Sequence, residues 1–219
     1  MAEPRFHVAA ARPAIEVNQV LRNTYMLLAL TIAFACVTGV AAIAMNLPPF
    51  NFIVYLVGFF GLSFLVNKTA NSGWGLFWTF VFTGFIGVAA APIIGYFVAV
   101  NPGIVAQAFG VTAASFVGLS LYTILTKQDF SFLRSFLVVG FFVILGVIAC
   151  SFFFDLSPFG AVISAFMVLI AAALMLYQTS EIVRGGETNY IIATNNLFVS
   201  IYVMFMNLLA LFGIMGGDD

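Results

Sequence analysis

The chain has 219 residues, of which 63% are hydrophobic and 7% charged, with a formal net charge of −1. Soluble domains carry about 25% charged residues, so this chain lacks the polar side chains to cover a water-facing surface. It reads as an all-α integral membrane protein whose first partner is the lipid bilayer, and its near-zero charge offers no basic field to nucleic acid.

Residues 1–23 form a polar N-terminal tail containing Arg5, Arg12 and Arg22. No short apolar core with a small-residue cleavage site precedes the first hydrophobic run, so no removable signal peptide is expected. Apolar runs of about 20 residues cross a bilayer as helices, because every backbone N–H and C=O must then be paired internally. The first such run, Thr24 to Met45, stops at Pro48 and Pro49 and has Thr24, Thr31 and Thr38 at heptad spacing. The second covers Phe50 to Val66 and ends at "NKTANSGWG". The third, Leu76 to Val98, contains Thr83, Gly84 and Gly87 and then Pro92, where a kink or local unwinding is expected.

The fourth run, Ile104 to Leu125, has Gly110, Ala114 and Gly118 at a spacing that lets helices approach closely. The fifth covers Phe132 to Phe154, and "DLSP" closes it. The sixth spans Phe159 to Tyr177, with Ser164, Ala171, Gln178 and Glu181 along one arc. The seventh runs from Tyr190 to Ile214 and is the most polar. At 100° per residue Asn189, Asn196, Ser200 and Asn207 share a narrow arc, expected to point into the bundle as a pore or sensor face. Residues 24–214 therefore make one seven-helix domain, followed by a short acidic tail at 215–219. Cys36 and Cys150 fall inside apolar runs and indicate no disulfide framework.

The basic residues give an independent count. With seven spans, Arg5, Arg12, Arg22, Lys68, Lys127, Arg134 and Arg184 all fall on one side. The positive-inside rule then puts the N-terminus in the cytoplasm and the C-terminus outside. Catalytic chemistry is missing. The chain has one histidine, His7 in the tail, with no aspartate pair in the spans and no zinc motif, so an enzyme is not expected. Nor does any residue set call for a cofactor or bound metal.

"LRNTYMLLALTIAF" (21–34), "NKTAN" (67–71), "FTGFIG" (82–87), "DFSFL" (129–133) and "GGETNYIIAT" (185–194) occur in order along the chain. Together they resemble the bacterial YccA-like branch of the Bax-inhibitor, or TMBIM, family, over about Val20 to Gly213. The resemblance implies six helices around a central seventh, in a bacterial inner membrane. It also implies a pH-sensitive leak, of calcium or protons, gated by two acidic residues on the last two helices. A link to the membrane-anchored AAA protease FtsH is implied as well. The chain departs from this pattern at both acids: Gln178 follows Tyr177 where the sixth-helix acid falls, and Ser200 takes the seventh-helix position. Glu181, one turn from Gln178, is a partial substitute. Two readings follow, a modulator of protein quality control through an FtsH-type protease and a cation or proton leak channel. A small-solute transporter is the weakest alternative, since no repeat accompanies the possible break at Pro92.

Overall fold

The computed structural model describes residues 14–216. Seven α-helices follow in order: α1 Ala14–Ala44, α2 Phe52–Thr69, α3 Trp74–Val100, α4 Pro102–Thr126, α5 Leu133–Ser151, α6 Gly160–Val183 and α7 Tyr190–Met215. All seven are long and apolar enough to cross a membrane, and no strand occurs among the described residues. Arg5 and Arg12 lie outside the described residues, as do the last three residues of the acidic tail.

The helix ends follow local chemistry. Asn51 and Asn101 each accept a bond from the backbone two residues on, Ile53 N at 2.9 Å and Gly103 N at 3.0 Å, and Pro102 opens α4. Lys127 closes α4 in the left-handed conformation, φ 51°, with its N–H on Thr123 O. Between α5 and α6, the Asp155 carboxylate accepts from Ser157 Oγ at 2.6 Å and Ser157 N at 3.0 Å, which holds its pKa below the usual carboxylate range. Two boundaries differ from expectation. α1 begins at Ala14, not Thr24, and α6 continues to Val183. Hydropathy marks what lipid covers, whereas a helix runs on into polar sequence that has no breaker.

α7 packs against α1, α2, α3, α4 and α6, while α5 packs on α6 alone, outside any ring around α7. α1 crosses α3 with their backbones in close approach. A side chain at Gly87 would lie 2.3 Å from Ala35 O and 2.4 Å from Thr38 Oγ1. Thr38 Oγ1, 3.0 Å from Ala35 O of its own helix, also lies 3.2 Å from Gly84 O across the same crossing. The small residues of α4 behave otherwise. Gly110, Ala114 and Gly118 are exposed and the space over both glycines is open, so the close-approach spacing there joins no helix among the described residues. The unwinding expected at Pro92 is also absent. α3 stays α-helical through it, since the missing N–H removes one ladder bond inside a helix packed on four neighbours.

Candidate functional site

Three connections meet at one end of the bundle, and the α6–α7 turn holds them together. Gly185 takes φ 75°, which lets the chain reverse after Arg184. Glu187 Oε1 accepts from Thr188 N at 2.8 Å and Asn189 N at 2.7 Å, folding the turn on itself. Asn189 then serves two elements. Its Oδ1 caps α7 through Ile191 N at 2.9 Å, and its Nδ2 reaches the α2–α3 turn at Ala70 O, 3.1 Å, and Asn71 Oδ1, 2.9 Å.

On the other flank Arg184 pairs with Asp129 of the α4–α5 connection. Ser180 Oγ donates to Gln128 O at 3.0 Å and accepts from Phe130 N at 3.3 Å. The ion pair is about half exposed and contributes under about 1 kcal/mol, whereas the Ser180 bonds lie against buried Phe130. A cavity of about 320 Å³ opens beside the turn, lined by Glu16, Gln19 and Asn23 of α1 and by Glu187, Thr188 and Tyr190. Lys68, Lys127, Arg134 and Arg184 flank these connections, exposed, and Arg22 lies exposed beside the cavity on α1.

Further inside, about one and a half turns back from the end of α6 and nearly three turns into α7, the two helices meet through Ser200 Oγ, which donates to Gln178 Oε1 at 3.0 Å. The two positions singled out on the last two helices are thus in direct contact, and both side chains are neutral. Ser200 Oγ also stands 3.1 Å from Asn196 O, an alternative acceptor for its one hydrogen, and the residue is fully buried. Glu181 does not join this pair. Its carboxylate lies over Gly186 in the turn and makes no hydrogen bond or ion pair among the described residues.

The expected inward amide stripe divides. Asn189 is the cap just described, Ser200 is buried, and half-buried Asn207 returns its Nδ2 to Val203 O of its own helix at 2.8 Å. Asn196 is exposed, against the expectation for the stripe. The buried amide is its neighbour Asn195, whose Nδ2 reaches Ser63 Oγ on α2 at 3.2 Å. The reason is geometric. Asn195 points at α2 and Ser200 at α6, the two helices do not pack together, and Asn196 projects between them.

Several interior hydroxyls escaped the stripe analysis. Thr194 Oγ1 donates to Tyr190 O at 2.7 Å and stands 3.2 Å from Thr24 O on α1. Tyr25 of α1, Ser120 of α4 and Thr179 of α6 bring three hydroxyls together, each shielded from solvent and without a well-formed hydrogen bond among the described residues. A single polar residue per helix leaves no periodic signal, so only the packing reveals them. No group of three His, Cys, Asp or Glu side chains among the described residues is placed to hold a metal ion.

Comparison with known proteins agrees over the same length. A family described as inhibitor of apoptosis-promoting Bax1 matches residues 17–217. A Pseudomonas aeruginosa protein is 50% identical over 206 residues, 93% of each chain. An Escherichia coli protein named modulator of FtsH protease YccA is 41% identical over 205 residues, 93% of this chain and 94% of that one. A Vibrio cholerae membrane protein is 38% identical over the whole of both chains. Seven spanning helices and a match across nearly every described residue lead to one conclusion: the chain belongs to the Bax-inhibitor family.

Proposed function

We propose that this multi-pass inner-membrane protein modulates a membrane-anchored AAA protease of the FtsH type. The observation behind the proposal is the 41% identity, across 93% of the chain, to a protein named for that role. In this reading the basic end of the bundle is cytoplasmic, by the positive-inside rule, and the C-terminus is outside. α7 is the central helix on which the bundle is built. The face formed by the α2–α3, α4–α5 and α6–α7 connections meets the protease. Its cross-links through Asn189, Ser180 and Arg184 support a preformed surface. No chemistry on a substrate is assigned to it.

The leak reading draws less support. Proton-coupled gating by paired acids needs two carboxylates close enough to share a charge, and Gln178 and Ser200 offer an amide and a hydroxyl. Affinity purification of the full chain from native membranes tests the proposal. Recovery of the protease, reduced when the segment before α1 is deleted or when Asn189→Ala and Arg184→Ala loosen the face, is the expected result. Absence of the protease from the purified material, together with unchanged turnover of its substrates in a deletion strain, refutes it.

A further inference from the structure

We draw no further inference here: the strongest candidate, the apolar cleft of about 300 Å³ between α1 and α4, is open-sided, and nothing in the structure shows what covers it.

Discussion

The sharpest residue-scale result is the contact between Gln178 and Ser200. The family resemblance singled out both positions and put them on the last two helices. That they bond each other required the packing of α6 on α7. With neither side chain ionisable near neutrality, calcium or proton flux through wild-type vesicles should not change with pH across the neutral range. Gln178→Asp with Ser200→Asp should behave differently. Two carboxylates at this spacing repel one another once both are charged, so the melting temperature of the double variant should fall on alkalisation. The wild type should show no such fall. Thermal melts in detergent and indicator-loaded vesicles check both.

A second contrast at this scale uses two threonines on the last two helices. Thr194→Val removes a hydroxyl bonded to Tyr190 O and near Thr24 O, at an expected cost of about 1 kcal/mol. Thr179→Val removes one with no well-formed partner and should be neutral or stabilising. Denaturant unfolding separates the two. The misassigned amide belongs here as well. An error of one position turns a side chain by 100° on a helix, so Asn195 and Asn196 point to different neighbours. Periodicity finds an arc of polar residues, but with helices on several sides of α7 it does not decide which arc faces a gap.

At the scale of helices, seven spans and their breakers were readable from apolar runs, prolines and asparagine caps, since lipid permits only internally bonded backbone. Which small-residue face packs was not readable. Gly84 and Gly87 on α3 meet α1, whereas Gly110 and Gly118 on α4 face away from the bundle. Small residues recur along one face of each helix, but the two faces meet different surroundings. Gly87→Val should therefore destabilise by about 1–3 kcal/mol through overpacking against Ala35 and Thr38, while Gly118→Val should change stability by less than about 0.5 kcal/mol. Paired melts of the two variants check this. Asn189→Ala should cost about 1–2 kcal/mol, since it removes the α7 cap and the tie to the α2–α3 turn together.

For the whole molecule, the distribution of charge and the cross-linked loops describe one polarised object. The five described basic residues share the end where three connections are bonded together, and Asp155 lies in the α5–α6 connection at the other. The charge partition was visible in sequence, but the bonding among "NKTAN", "DFSFL" and "GGETNY" was not, because no local pattern shows which loops will meet. The account's central claim is that this face acts on an FtsH-type protease. The direct measurement is degradation of a membrane substrate by the purified protease in vesicles, with and without the full chain. The account predicts at least a twofold change in rate, diminished by Asn189→Ala with Arg184→Ala. An identical rate at every ratio of chain to protease would contradict it.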